Sequence, residues 1–438
     1  MAFKHVDAIE ILLNDESVGA LAQIPGRQSI YAFEYFPGWL QRGYSINPLH
    51  LPLTPGAKSF PGLAEDTWHG LPPAIADALP DKFGNSLINA KLASLGVTAD
   101  EITPLDRLSY VADRAMGALA FRPAKALGAK REDILDIAEL VTAARDALSG
   151  SVATDRESKH ALQQLLSVGS SAGGARAKAV VNLDPVTQEI TSGQHPAPGT
   201  ESWLLKFDGV GADAALGDSQ QYGRIEYAYS MMARDAGIDM PETRLLEENG
   251  RAHFMAKRFD RIDAGAADPA TGAAGIGMPR KIHMQSLCAM DNVDFNLIHT
   301  NSYSSLFAVI RRLELGEATA TEAFRRMAFN YMAMNCDDHS KNFSFLMDGR
   351  GTWRLAPAYD VTFAYNSQNI WLREHLMGVD GKFSDVTKKD LLDFASRHGV
   401  TYAKAALKDI SGARVGWQDY ARRAGLTKDA ADSIEHNF

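Results

Sequence analysis

The order of strand-like and helix-like segments constrains the fold of this 438-residue chain more than any other feature. One long helical pattern, "QYGRIEYAYSMMARDAG", sits among several short segments that are typical of strands. After Pro279 the sequence predicts mostly helices to the end of the chain, with an interruption over 335–365. The strand patterns are "AKAVVNLD", "SWLLKFDG", "ETRLLEENG" and "AHFMAKRF". This order predicts an α+β fold with a mixed α/β first part and a mostly helical last part.

From about residue 1 to 115 the chain has a mixed pattern, punctuated by proline and glycine. "HVDAIEILLND" and "GYSINPLHLPL" predict short strands, whereas "EDILDIAELVTAARDALSG" and "DRESKHALQQLLSVG" predict helices from their apolar spacing. The Ala/Gly-rich stretch 263–279 predicts a loop. These changes of pattern divide the chain into three predicted parts: 1–115, 116–280 and 281–438.

Composition and charge narrow the class of protein. Apolar residues make up 45% of the chain, which is enough for a sizeable core. The net charge of −9 argues against a protein that coats nucleic acid by bulk charge. The two cysteines, Cys288 and Cys336, have no zinc-site spacing, and no apolar run reaches the length of a membrane span. We therefore expect a cytoplasmic protein with no membrane partner.

The segment "NCDDHSKNFSF" (335–345) concentrates the chemistry of the chain. Asn342 follows Asp337 by five residues, and Asp360 follows Asn342 by eighteen. Phosphoryl transfer needs a carboxylate that orients the attacking hydroxyl, and amide and carboxylate oxygens that hold magnesium. Asp337, Asn342 and Asp360 supply those groups in that order. The alternative is a capped helix with solvated charges, because D-x-x-x-x-N is a short pattern.

Upstream segments favour the phosphotransferase interpretation. "GSSAGGARAK" is a small-residue loop before a strand, where glycines allow backbone N–H groups to approach phosphates, although a flexible linker would have a similar composition. Lys206 lies inside an apolar strand pattern and requires an anion, either nucleotide phosphates or Glu226, unless it reaches solvent from an edge strand. "MAKRFDR" ends a later strand, where a phosphotransferase has its adenine-binding hinge. The segments occur in the order found in two-lobed kinases.

Taken together, these segments resemble those of HipA-type toxin kinases. "FEYFPGWLQRGYSINPLHLPL" is similar to part of the family's N-terminal subdomain, "SSAGGARAK" to its phosphate loop, and "WLLKF" to its lysine strand. "KRFDR" resembles the hinge, "NCDDHSKNFSF" the catalytic loop, and "LAPAYDVT" the metal-binding segment. The resemblance implies a two-lobed protein-kinase-like fold. Its parts would be an extra N-terminal subdomain (1–115), a nucleotide-binding N-lobe with the phosphate loop (116–280) and a helical C-lobe with the catalytic and metal-binding segments (281–438).

The resemblance also implies roles for individual residues. Asp337 would be the general base and Lys206 the phosphate-pairing lysine, while Asn342 and Asp360 would bind Mg²⁺. Ser171, or its neighbour Ser170, would be the site of autophosphorylation. ATP would be bound by residues of the loop, lysine strand, hinge, catalytic loop and metal segment: Gly173, Gly174, Ala175, Arg176, Ala177, Lys178, Lys206, Lys257, Arg258, Phe259, His339, Lys341, Asn342, Tyr359 and Asp360. No catalytic role is expected for Asp338, and Cys336 is expected to be a packing residue.

The function implied by the resemblance is that of a serine/threonine protein kinase acting as the toxin of a type II toxin–antitoxin system. Its substrate would be a translation component such as an aminoacyl-tRNA synthetase. Its partner would be a helix-turn-helix, HipB-like antitoxin, with DNA contacted only through that complex. Two alternatives remain: a kinase-fold co-repressor that acts through the antitoxin, and a small-molecule phosphotransferase. The latter type usually has a histidine two residues before the catalytic aspartate, where this chain has Asn335.

Overall fold

The computed structural model describes residues 3–27, 29–125, 135–149, 165, 176–193, 196–208, 210, 221–262 and 280–438. The chain divides into two compact units, each assembled from separate stretches of sequence. The first unit comprises Met1–Asp213, Lys257–Gln285 and Leu346–Thr352, and the second comprises Ala214–Ala256, Ser286–Phe345 and Trp353–Phe438. The division into 1–115, 116–280 and 281–438 stays a prediction.

The first unit begins with a four-stranded antiparallel sheet. Its strands, in spatial order, are Tyr31–Tyr35, Glu16–Gln23, Ala8–Leu13 and Leu119–Arg122. Tyr31, Phe33 and Tyr35 alternate along one strand and are buried, as expected for a sheet with one covered face. Between the strands Tyr31–Tyr35 and Leu119–Arg122 the chain forms α-helices at Pro37–Leu40, Glu65–Trp68, Pro73–Ala76, Lys82–Ala93 and Pro104–Val111.

One of the two strands predicted near the N-terminus is confirmed, and the other is wrong. Ala8–Leu13 is a strand, but residues 43–53 form only an isolated bridge between Asn47 and Leu51. The Asn47 side chain accepts hydrogen bonds from the backbone N–H groups of Leu49 and His50, which closes a turn. Two prolines in this stretch also lack the N–H that a strand would donate.

The remaining strands of the first unit include three that pair antiparallel, in the order Ile190–Ser192, Lys178–Leu183 and Glu201–Lys206. Every residue of Lys178–Leu183 is buried, because this strand lies between the other two. A short hairpin joins Arg261–Ile262 to Arg280–Lys281. The predicted helix in 132–150 is confirmed as Ile137–Ser149. The predicted helix in 155–169, apart from residue 165, and the loop 263–279 lie outside the described residues.

The second unit is mostly helical, as the sequence predicts. An antiparallel hairpin of Thr243–Glu248 and Arg251–Lys257 follows the helix Tyr222–Asp235, which confirms the helix and both strands. Asn301–Ser302 pairs in parallel with Met377–Gly378, and Trp353–Leu355 is a further strand. The other helices are Leu287–Asp291, Tyr303–Arg312, Gly316–Met332, Lys388–Arg397, Ala403–Val415, Trp417–Arg423 and Lys428–Glu435. Two strands, His283–Ser286 and Ser344–Met347, span the boundaries between the units along the chain.

A buried tyrosine fixes the end of the helix that leads into the catalytic segment. Tyr229 is fully buried, and its hydroxyl donates a 2.7 Å hydrogen bond to the carbonyl of Ala333. Its ring meets the rings of Phe329 and Trp417 edge to face. The backbone just after Gly316–Met332 is therefore held from the core of the second unit.

In the part of the chain that the structure describes, no helix combines the length and the apolar character that crossing a membrane requires.

Candidate active site

The catalytic segment predicted from the sequence is a closed loop in the second unit. Ser340–Asn342 forms a single 3₁₀ turn, and the backbone N–H of Asn342 donates to the carbonyl of His339 at 2.9 Å. The side-chain Nδ2 of Asn342 donates to the backbone carbonyl of Asp337 at 2.8 Å. The five-residue spacing thus brings Asn342 back to Asp337. Because the amide nitrogen is used in this contact, the amide oxygen is the atom turned toward other partners.

Asp337 lies at the surface of this loop. Its side chain is 47% exposed, and its Oδ1 is 3.6 Å from Nε2 of His339. That separation exceeds a hydrogen bond, so the imidazole is a neighbour of the carboxylate rather than a bonded partner. An approaching hydroxyl could therefore reach the Asp337 carboxylate.

An aromatic residue that the sequence analysis missed supports the same loop. The ring of Phe295 lies with its centroid 6.0 Å from that of His339 and 5.0 Å from Nζ of Lys341. The second contact is a cation–π interaction, which restrains the lysine side chain. Phe295 precedes Asp337 by more than forty residues, and no local pattern indicates the contact.

The predicted metal segment runs beside the catalytic loop. The hydroxyl of Tyr359 donates to the carbonyl of Lys341 at 2.7 Å and is hydrogen bonded to Ser344. Asp360 has a φ of +54°, in the left-handed region that residues other than glycine seldom adopt. Such backbone geometry persists only where the surrounding structure enforces it, and it is concentrated at functional sites.

Asn342 and Asp360 line one pocket within the second unit. Amide and carboxylate oxygens are the hard ligands that Mg²⁺ prefers, so the two side chains fit a magnesium ion. Nη1 of Arg326 donates a 2.8 Å hydrogen bond to the backbone carbonyl of Ala356, which precedes the pocket residue Ala358 by two positions. The pocket is lined by Ile238, Arg326, Asn330, Asn335, Asp338, Asn342, Phe343, Ala358, Tyr359, Asp360 and Val361.

The neighbouring carboxylate, Asp338, is fully buried and fully engaged. Its Oδ2 accepts from the Tyr303 hydroxyl at 2.7 Å and lies 3.0 Å from Nδ1 of His375. Its Oδ1 accepts from the backbone N–H groups of Leu376 and Met377 at 2.8 and 3.3 Å. Both oxygens of Asp338 are thus engaged by groups of the protein, and the absence of a catalytic role for this residue stays a prediction.

Cys336 is a buried thiol whose Sγ lies 3.8 Å from Nε2 of His375. Burial raises the pKa of its thiol far above the ordinary value, and the nearby charges of Asp338 and Asp337 raise it further. Such an environment favours the protonated thiol, as expected of a packing residue.

In the first unit, two predicted lysines lie directly opposite each other on paired strands. Lys178 and Lys206 are register partners, so their side chains project from the same face of the sheet. Nζ of Lys178 is buried and lies 3.3 Å from Oδ2 of Asp81. Asp81 also caps the helix Lys82–Ala93, with its Oδ1 accepting from Gly84 N–H at 2.7 Å. No local sequence pattern indicates this partner, which lies about a hundred residues upstream.

The predicted hinge residues begin at Lys257, the last residue of the strand Arg251–Lys257. Nζ of Lys257 pairs with Glu201 at 2.6 Å. The guanidinium of Arg258 is buried and makes two hydrogen bonds to Asp260, at 2.8 and 2.7 Å. A nucleotide contact by Arg258 would therefore come from its backbone rather than from its side chain. Phe259, between them, is half-buried.

Of the predicted phosphate loop, the structure describes Arg176, Ala177 and Lys178. Ala177 is buried, and its carbonyl accepts from the N–H of Phe207 at 3.0 Å, while Arg176 is half-buried. The other predicted loop and modification residues, Gly173, Gly174, Ala175, Ser170 and Ser171, lie outside the described residues.

Comparison with known families matches most of the chain. The HipA N-terminal domain matches residues 9–122, and the HipA-like C-terminal domain matches residues 170–431. Two proteins of Sinorhizobium fredii are similar over shorter stretches. "Putative kinase Y4dM" is 28% identical over 182 residues, which are 38% of this chain and 38% of that protein. "Putative kinase Y4mE" is 26% identical over 203 residues, 44% of this chain and 39% of that protein. The similarity thus spans about two fifths of the length of these relatives.

The fold has a close counterpart among solved structures. A chain in the Shewanella oneidensis MR-1 complex of HipA, HipB and operator DNA matches with a TM-score of 0.65. The match covers 98% of this chain and 94% of that chain, at 16% identity. At that identity the likeness establishes the fold, and it confirms the α+β, kinase-like architecture that the sequence predicts. With both family domains present over most of its length, this chain belongs to the HipA family.

Proposed function

We propose that this protein is an ATP- and magnesium-dependent serine/threonine protein kinase. The observation that carries the proposal is the arrangement of the second unit, where Asn342 and Asp360 line one pocket and Asn342 is bonded to the backbone of Asp337. One accessible carboxylate beside two metal-type oxygens is what phosphoryl transfer requires. The kinase names of the two relatives support the same activity.

In this mechanism Asp337 orients the acceptor hydroxyl and receives its proton. The half-exposed position of its carboxylate allows the hydroxyl to approach, and the bond from Asn342 fixes the loop backbone on which it stands. A magnesium ion held by Asn342 and Asp360 would neutralise charge on the phosphates of ATP. By the family resemblance, Lys206 of the first unit is proposed as the phosphate-pairing lysine.

We further propose that the kinase is the toxin of a type II toxin–antitoxin system. The solved HipA structure contains HipB and operator DNA, which supports a helix-turn-helix antitoxin as partner and DNA contact through that complex. The net charge of −9 makes strong unaided DNA binding unfavourable. The substrate would be a protein such as an aminoacyl-tRNA synthetase, and Ser171 or Ser170 would carry self-inactivating phosphate.

Magnesium-dependent ATP binding tests the metal assignment. Asp360→Asn removes the negative charge and replaces one carboxylate oxygen by an NH₂ group, and Asn342→Ala removes the amide oxygen, so both variants should lose most of the gain in ATP affinity that magnesium provides. Titration calorimetry with and without magnesium measures this gain. The matched control is Asp393→Asn, a carboxylate on the surface helix Lys388–Arg397. An unchanged magnesium dependence in Asp360→Asn would contradict the proposal.

A further inference from the structure

The mechanism above leaves one buried carboxylate of the catalytic segment unused. Asp338 follows the proposed base directly and is 1% exposed. Four donors surround it, and none of the four carries an obligatory positive charge: a tyrosine hydroxyl, a histidine ring N–H and two backbone N–H groups. Burying a carboxylate costs free energy unless hydrogen bonds compensate for it. The four hydrogen bonds to Asp338 supply that compensation, and we expect them to restrain the four donor groups in turn.

On one side, Asp338 is tied to two helices by a continuous chain of hydrogen bonds. Asn335 donates to Asn330 at 2.9 Å, and Asn330 donates to the Tyr303 hydroxyl at 3.0 Å. That hydroxyl donates to Asp338. Asn330 belongs to Gly316–Met332 and Tyr303 begins Tyr303–Arg312, so the start of the catalytic segment is anchored to both helices.

On the other side, Asp338 holds the segment 375–377. The ring of His375 stacks on Tyr331 with a centroid separation of 3.7 Å, and the Tyr331 hydroxyl donates to the carbonyl of Met377 at 2.9 Å. Met377 also begins the short strand that pairs with Asn301–Ser302. The segment 375–377 is therefore held by hydrogen bonds to Asp338, by the stacking of His375 on Tyr331 and by the pairing of Met377 with Asn301.

The residues just before the held segment reach the surface of the second unit. Glu374, next to His375, is hydrogen bonded to His299 at 2.7 Å. A few residues earlier, Ile370 and Trp371 are 55% and 41% exposed, unusual values for large apolar side chains. Neither His375 nor Met377 is among the walls of the pocket that contains Asn342 and Asp360.

We propose that Asp338 and His375 form a positioning pair that holds the backbone carrying the Asp337 carboxylate in register with the segment 375–377. The inference rests on the proposed kinase function. His375 does not line the pocket that contains Asn342 and Asp360, and Asp338, which does, has both carboxylate oxygens engaged by groups of the protein itself. Loss of the pair should misplace the base while leaving nucleotide binding intact, and misplacement by about 1 Å can lower a rate about 10²-fold.

Two substitutions at one position test the pair. His375→Phe keeps the ring stack on Tyr331 but removes the donor, and its kcat for phosphate transfer should fall by about 10²-fold. His375→Asn places an amide N–H near the position of Nδ1 and should stay within about tenfold of the wild type. The acceptors are dephosphorylated casein and the Asp337→Asn chain, and calorimetry of magnesium–ATP binding should give affinities within about twofold for all three proteins.

The outcomes separate this inference from the function on which it rests. No transfer by the wild type to either acceptor would overturn both. Wild-type transfer with an unchanged rate in His375→Phe, or with His375→Asn as slow as His375→Phe, would overturn the positioning pair alone. If His375→Phe does not fold, Tyr303→Phe removes one of the four donors and should lower kcat by about three- to tenfold with ATP affinity unchanged. An unchanged kcat in that variant would equally contradict the inference.

Discussion

Asp260 in the first unit and Asp338 in the second are both fully buried carboxylates, yet their surroundings differ in charge. Asp260 accepts two hydrogen bonds from Arg258, one from Arg261 and one from the backbone N–H of Gly117. Asp338 accepts from a hydroxyl, an imidazole and two backbone amides. The first carboxylate lies between two permanent cations, and the second is held by polar groups beside the proposed base.

The difference in surroundings indicates different roles for these two equally buried carboxylates. Burial alone would raise the pKa of Asp260, but the charges of Arg258 and Arg261, with the hydrogen bonds from Arg258 and Gly117, lower it well below the ordinary value. This cluster ties Gly117 to the residues after the hairpin strand and is part of the architecture of the first unit. Asp338 instead orders two backbone amides and an imidazole next to the catalytic segment.

The largest effect is expected from breaking the charged cluster. Asp260→Ala leaves two buried guanidinium groups without their carboxylate and should lower the free energy of unfolding by about 3–5 kcal/mol. Urea denaturation followed by far-UV circular dichroism measures the change. Asp291→Ala is the control, because Asp291 also pairs with an arginine, Arg312, but at a partly exposed site, where the loss should be below about 1 kcal/mol. Equal losses in the two variants would show that the Asp260 cluster is not structural.

Acid should remove the contribution of Asp260 progressively. Because the pKa of Asp260 is lower in the folded state, the carboxylate stabilises the fold above its unfolded pKa of about 4, and that stabilisation is lost as pH falls toward the folded pKa. Asp260→Asn has no such group to titrate. The difference in unfolding free energy between the wild type and Asp260→Asn should therefore be greatest near pH 6 and shrink below about pH 4. A difference that grows on acidification would reverse the assigned direction of the pKa shift.

The sequence was most informative where chemistry depends on residues close together along the chain. The spacing of Asp337 and Asn342 corresponds to a hydrogen bond within one loop. Asp360 follows Asn342 by only eighteen residues and lines the same pocket as Asn342. The strands around Lys178 and Lys206 were equally predictable, because their apolar pattern matches buried strands. Local spacing and periodicity determine these features directly.

The partners that hold the site were not predictable in the same way. Tyr303 and His375 each lie more than thirty residues from Asp338, and Asp81 lies about a hundred residues from Lys178. Such contacts arise from tertiary packing, which leaves no periodic signal in a single sequence. The prediction of a strand at 43–53 was wrong for a local reason, because the turn formed by Asn47 competes with strand pairing.

Phosphate transfer by Asp337→Asn tests the central claim most directly. The amide keeps the shape of the side chain but cannot accept the proton of the acceptor hydroxyl, so transfer from labelled ATP to casein should fall by about 10²–10⁴-fold. Magnesium–ATP affinity, measured on the same preparation, should remain close to that of the wild type, because Asn342 and Asp360 are unchanged. Transfer at the wild-type rate by Asp337→Asn would contradict the assignment of Asp337 as the base.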